Sequence, residues 1–339
     1  MQISFTPEFA ARLRRELGLA AHPAGGPHGY NVDLECALSE DLLLATVGWI
    51  QSKPQAEPGS PLRIDEWGVR WRDIEYQTPF GNGIYTEIAS HPLADDAAIE
   101  TYLPPDPHRP ELYREAAELI RDYRQEYWIT GMTVCTIFET AWALRGYERL
   151  LTDFVLHPEL AERILDIPLH YHLAAARKLV DLGVDMIWAG DDVGAQSRML
   201  MSPAAWRRFL KPRLAAFIEA LKQRCPALVI AYHSDGCIYP IISDLIDIGV
   251  DVLNPIQPQS MDPEKLKKEY GDRLCFWGTL DIQQTLPYGT PDDVRAEVRT
   301  RLRTVGRDGG LILGPTHNVQ LDTPMANFHA MVEAITVPL

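Results

Sequence analysis

Positive charge is scarce in this chain: 32 Lys and Arg stand against 47 Asp and Glu over 339 residues, a formal net charge of −15. Such a balance leaves no surplus of cations to neutralise phosphates, which argues against nucleic acid or an anionic membrane as partner. No apolar run is long enough to read as a bilayer span. The start, Met1-Gln2-Ile3-Ser4-Phe5, lacks the basic residues and apolar stretch of a secretion signal. The five cysteines (Cys36, Cys135, Cys225, Cys237 and Cys275) form no CxxC pair and no disulfide-like spacing. A reducing cytoplasm is therefore the expected location. No Gly-rich phosphate loop follows any predicted strand, and no Walker motif occurs, which weakens a nucleotide-binding open sheet.

What the chain does contain is a regular alternation. A helix is expected over 6–17, with Thr6 as cap and Pro7 in its first turn, then a loop over 21–29 and a helix over 39–51. Aromatic and β-branched residues flank Gly81-Asn82-Gly83, so 62–90 reads as an antiparallel hairpin insertion that covers something. A Pro- and Asp-rich connector spans 92–110, and a helix follows at 111–125. From there strands are predicted at 132–138, 185–190, 227–232, 250–254, 273–278 and 310–315. Helices are predicted between them at 140–156, 158–182, 203–223, 238–248, 262–269 and 291–306, with Pro212 kinking the third. Six strand–helix units, with room for two earlier ones, fit a single α/β domain over 1–339: a (β/α)8 TIM barrel with an N-terminal helical segment and the hairpin insertion.

In such a barrel the loops after the strands share one face, so the residues that end each strand matter most. Glu139 ends the first, Asp191-Asp192 the second, and Tyr232-His233-Ser234-Asp235 the third. Asn254 and Gln257 end the fourth, Asp281 the fifth, and His317-Asn318 the sixth. His233 and Asp235 lie two residues apart where a strand opens into a loop, so their side chains leave on one side. Only one of Asp191 and Asp192 can face inward from extended chain; the other caps a turn. A lone polar strand end means little, but six together predict a shared polar site.

These strand ends, with Gly190-Asp191-Asp192, His233-Ser234-Asp235-Gly236, Pro315-Thr316-His317-Asn318, Asp322-Thr323-Pro324, Asn327 and the earlier Asp65-Glu66-Trp67-Gly68-Val69, resemble the uroporphyrinogen decarboxylase superfamily over about residues 62–335. Within it the likeness is to the branch of cobalamin-dependent methyltransferases. The Arg-rich N-terminal motif with which porphyrinogen decarboxylases clamp substrate carboxylates is missing, and so is a clear counterpart of their pyrrole-binding Asp. The methyltransferase relatives hold zinc through H-x-C and a later Cys. Here His233 matches the His, Asp235 stands where the first Cys would be and His317 near the second. The resemblance therefore implies zinc on His233, Asp235 and His317, a harder set than a thiolate one. It implies transfer of a methyl group from a small, methoxylated donor to a corrinoid on a partner protein, because no D-x-H-x-x-G cobalamin motif is present. Glu139, Asp191, Asp192, Asp235 and Asp281 are the candidate catalytic groups, and Tyr232, Asn254, Gln257 and Asn318 the candidate substrate contacts. A homodimer is the expected assembly. The alternatives are a decarboxylase or lyase of a non-porphyrin carboxylate, and a non-catalytic binding barrel.

Overall fold

The computed structural model describes residues 1–20, 32–47, 55–56 and 59–337. Strands occur at β1 (Leu42–Thr46), β2 (Gln55–Ala56), β3 (Arg63–Ile64), β4 (Arg70–Thr78), β5 (Gly81–Ser90), β6 (Trp128–Val134), β7 (Met186–Gly190), β8 (Val229–His233), β9 (Val252–Asn254), β10 (Cys275–Leu280) and β11 (Leu311–Pro315). Seven of them form one parallel sheet in the order β1-β6-β7-β8-β9-β10-β11, and β2 to β5 form a separate antiparallel sheet. Helices join the parallel strands, as crossover geometry requires.

The two edges of the parallel sheet meet through the N-terminal segment. The Asp41 N–H donates to the Met1 carbonyl (3.0 Å) and the Gln2 N–H to the Leu313 carbonyl (3.2 Å), while Phe5 bridges in parallel to Val319. Residues 1–5 thus take the eighth place in the ring, which satisfies edge groups that an open sheet would leave unpaired. Alternate residues then face two apolar layers. Leu42, Leu44, Met132, Val134, Met186, Trp188, Ala231, Val252 and Trp277 fill the lumen. Leu43, Ala45, Ile129, Ile187, Ala189, Ile230, Tyr232 and Leu253 face the helices.

The barrel agrees with the sequence reading, but several elements differ. The described part of the expected 39–51 helix holds strand β1; its run Leu42-Leu43-Leu44 is buried on both faces, which erases the period that separates helix from strand. Residues 48–51, and the expected loop 21–29, lie outside the described residues. The first regular strand ends at Val134 rather than 138, because Phe138 already opens a helix. The 140–156 helix is two, Phe138–Arg145 and Tyr147–Leu156, divided at Gly146 with φ 97°. Pro212 starts a second helix, Lys211–Arg224, instead of kinking one. Among the described residues no helix is long and apolar enough to cross a membrane.

The hairpin β4–β5 forms as expected. At its base the Leu93 N–H donates to the Leu144 carbonyl (2.9 Å). Toward its tip the Ile84 N–H donates to Glu8 Oε1 (3.1 Å), and the Arg12 guanidinium lies 4.4 Å from the Phe80 ring centre. The hairpin therefore runs from the helix after β6 to the N-terminal helix. Beneath its base Trp67 packs on Tyr171 and stacks on His172 of the helix Pro158–Leu182.

His172 is fully buried, neither ring nitrogen has a partner, and burial pulls its pKa down to about 3 from 6.5. Between those two values the unfolded chain takes up a proton that the folded chain refuses, so this residue costs stability as pH falls below about 6.5. The loss is about 1.4 kcal/mol per pH unit. Urea unfolding measured from pH 7 down to pH 4 should show His172→Phe losing stability less steeply than the parent by about that slope. Parallel curves would contradict the burial of a neutral imidazole.

Candidate functional site

The site is assembled where β6, β7 and β8 end. Gly190, the last residue of β7, has φ 132°, and a Cβ there would overlap the His233 backbone. Only glycine lets the two strand ends come this close. The chain then turns so that consecutive carboxylates part company. Asp191 is buried and points at the start of the helix Phe138–Arg145, where its carboxylate accepts the N–H groups of Ile137 (3.0 Å) and Glu139 (2.9 Å). It satisfies orphan donors of a helix N-terminus. Burial pushes its pKa up to about 6 against the pull of those N–H groups.

Asp192 faces the other way. Its Oδ1 accepts the Asp235 N–H (2.7 Å) and lies 3.5 Å from His233 Nε2. Its own N–H donates to Glu139 Oε2 (3.0 Å). Burial, then the charges of Asp192 and Asp191, hold the Glu139 carboxyl well above the usual range.

His233 Nδ1 is 2.7 Å from Asn254 Oδ1, and because an amide oxygen only accepts, the ring proton sits on Nδ1. The Nε2 lone pair is left open toward Asp192 and Asp235. Asp235 Oδ1 is buried with no hydrogen-bond partner. Burial raises the Asp235 pKa, and the imidazoles of His233 and His317 counter that rise. One ligand atom each from Asp192, His233 and Asp235 lie within 4.8 Å of one another. Gln257 Oε1 accepts the Gly236 N–H (2.6 Å) and steadies the turn after Asp235.

The structure thus joins Glu139, Asp192, His233, Asp235, Asn254 and Gln257, and it redistributes several expected roles. Asp192, on the strand end adjoining β8, joins His233 and Asp235 in the close set, while His317, from the loop after β11, is near enough for its charge to act on Asp235. His317 is exposed on the loop after β11, and Asn318 is half-buried beside it. Asp191 holds backbone. Asp281 does the same: its carboxylate accepts the N–H groups of Gln283 (2.7 Å) and Gln284 (3.2 Å) and the Gln259 side chain (3.0 Å). Tyr232, expected among the substrate contacts, faces away from the close set. It points into the layer between sheet and helices, and burial drives its hydroxyl pKa well up. The two-residue period that sends His233 inward sends Tyr232 outward.

Two neighbours escaped the sequence reading. Trp188 sets its ring edge-on to His233, with centroids 5.5 Å apart, and packs on Trp277 at 4.4 Å. Cys135 lies beside Glu139, and burial and that carboxyl raise its thiol pKa well above normal. Inward parity on β7 would have found Trp188; the misplaced end of β6 hid Cys135. A cleft of about 590 Å³ opens next to the site through Cys237, lined by Arg198, Met199, Met201, Ser260 and Met261, but it does not include Asp192, His233 or Asp235. The carboxylate–imidazole set is thus a separate feature from this cleft.

The family model described as Uroporphyrinogen decarboxylase (URO-D) matches residues 74–337. The methylcobamide:CoM methyltransferase MtaA of Methanosarcina barkeri is 32% identical over 177 residues, 52% of this chain and 48% of that protein. The uroporphyrinogen decarboxylase of Chlorobium phaeobacteroides is 28% identical over 159 residues, 46% of this chain and 43% of that protein. The chain spans about half the length of the curated relatives it matches. Among solved structures, a methyltransferase from Methanosarcina mazei is 26% identical with a TM-score of 0.60, covering 74% of this chain and 71% of that one.

Asp191→Ala would strand two buried N–H groups at the helix start. Urea unfolding at neutral pH should show a loss of about 3 kcal/mol. A loss below about 0.5 kcal/mol, the range of ordinary surface substitutions, would contradict the anchoring role.

Proposed function

The chain belongs to the uroporphyrinogen decarboxylase family, and on that premise we propose that it is a methyltransferase that moves a methyl group from a small, methoxylated donor to a corrinoid on a separate protein, assisted by zinc. The observation that carries this reading is the convergence of one open imidazole nitrogen and two carboxylates at adjoining strand ends. The likeness to the methylcobamide:CoM methyltransferase and to the Methanosarcina mazei methyltransferase supports the reaction class.

Two features of the chain suit a dication. Asp235 Oδ1 is buried without a partner, and the tautomer set by Asn254 leaves the His233 Nε2 lone pair free. Zinc accepts nitrogen and oxygen donors of this kind, and an orienting bond to the far ring nitrogen is its usual support. The residues to hold it are Asp192, His233 and Asp235. Bound there, zinc supplies a Lewis acid for charge developing on a departing oxygen, which an ether oxygen needs.

The chain's own residues do the rest. Asn254 keeps the His233 ring from rotating. Glu139 fixes the Asp192 backbone and is the buried carboxyl best placed to give a proton to the leaving oxygen. Asp191 and Asp281 hold the loops rather than the substrate. The indoles of Trp188 and Trp277 pack on one another in the lumen, with Trp188 set against His233.

Decarboxylation of a substrate with several carboxylates is the weaker reading. Among the described residues no Lys or Arg forms an ion pair with Glu139, Asp191, Asp192 or Asp235. Such a substrate needs basic groups to offset its charge.

Elemental analysis of purified protein should find one zinc per chain. His233→Ala should lose it, while His317→Ala should keep it. Retention of zinc by His233→Ala would contradict the ligand set. Methyl transfer is read from the absorbance of an added corrinoid protein incubated with a methoxylated compound. Glu139→Gln keeps an acceptor for the Asp192 N–H, so zinc content should hold while the rate falls by about 10²–10⁴. Full activity in metal-free protein would overturn the zinc-assisted reading.

A further inference from the structure

Trp188 carries the clearest polar feature that the proposed chemistry leaves unused. Its side chain lies in the lumen, the residue is 7% exposed, and its indole N–H is buried with no partner. The contrast with its neighbour is direct. Trp277 packs on it at 4.4 Å, but the Trp277 N–H donates to Gln2 Oε1 (3.2 Å). Its partners on the adjoining strands, Met132 and Ala231, offer no strong acceptor. A buried donor left open costs about 1–3 kcal/mol, and functional sites are where such a cost is kept. The ring stands edge-on to His233, with centroids 5.5 Å apart, which sets the indole directly against the imidazole.

Charge limits what can meet it. Two carboxylates, Asp192 and Asp235, would cancel a bound dication, and Glu139 and Asp191 add no positive charge. None of the four pairs with Lys or Arg among the described residues. An anion entering this site would give up its hydration and find no opposite charge. A neutral molecule with an acceptor oxygen loses little and gains the indole N–H.

We infer that the ligand class of this site is a small uncharged oxygen compound, an ether or alcohol, whose oxygen is held by the Trp188 N–H. This rests on the methyl-transfer reading and narrows it, because anionic ethers of the same size are turned away.

The test compares 2-methoxyacetamide with methoxyacetate, two methyl ethers of equal size that differ in charge, by ligand-observed NMR titration of the full chain loaded with zinc. The amide should bind at least tenfold more tightly. Trp188→Phe, which keeps an aromatic ring and loses the N–H, should weaken amide binding about tenfold with zinc content unchanged, a loss of about 1.4 kcal/mol. Equal or tighter binding of methoxyacetate, no effect of Trp188→Phe, or no binding of either ether would overturn the inference. If Trp188→Phe does not fold, a second readout decides. In parent protein labelled with ¹⁵N-tryptophan, one indole N–H resonance should move with the amide and not with the acid; its failure to do so overturns the inference. The same titration without zinc separates the two claims. A moving indole resonance in protein that takes up no zinc sustains the Trp188 assignment while the zinc-assisted reading falls.

Discussion

The hydrogen bond from the Asp235 amide to the Asp192 carboxylate, 2.7 Å long, ties the end of β7 to the end of β8 across the mouth of the barrel. The other polar contacts of the site make sense in relation to it. Asp192 is aimed by its neighbour: Asp191 is committed to the helix start after β6, and adjacent residues of extended chain leave on opposite sides. Glu139 then clamps the Asp192 amide, and Asn254 clamps the His233 ring from the far side. Four buried or half-buried carboxyl groups would be costly if they faced one another unaided. Backbone N–H groups meet Asp191, Asp192 and Glu139, whereas Asp235 keeps one oxygen open. The unsatisfied group is the one that faces the proposed metal.

The barrel beneath makes this arrangement rigid. Residues 1–5 join the two sheet edges, and Gln2 reaches into the lumen to meet Trp277. The lumen is mostly a packed floor of Met, Val, Leu and Trp side chains, and the carboxylates and His233 gather above it. Because Gly190 lets β7 and β8 close up without a side chain between them, the two carboxylates and the imidazole fall within reach of one small ion.

Much of this was legible in the amino acids. Alternating apolar strands and capped helices specify the barrel, and His233 with Asp235 at a strand end marks where the polar set gathers. The readings that failed did so for local physical reasons. Leu42 to Thr46 carries no turn signal and no period, so a buried strand looked like a helix. Tyr232 ends the same strand as His233, but strand parity turns it to the opposite layer. The Asp191-Asp192 pair could not be resolved, because its answer depends on which helix start lies across from it. Asp192 as a third member of the set was not expected from spacing along the chain, because it follows from β7 lying beside β8.

The central claim is that Asp192, His233 Nε2 and Asp235 share one metal ion. Anomalous scattering at the zinc absorption edge, recorded from crystals of the zinc-loaded protein, tests it most directly. The account predicts a single strong peak within about 2.0–2.2 Å of all three donor atoms. A peak centred elsewhere, or no peak at these strand ends, would contradict it.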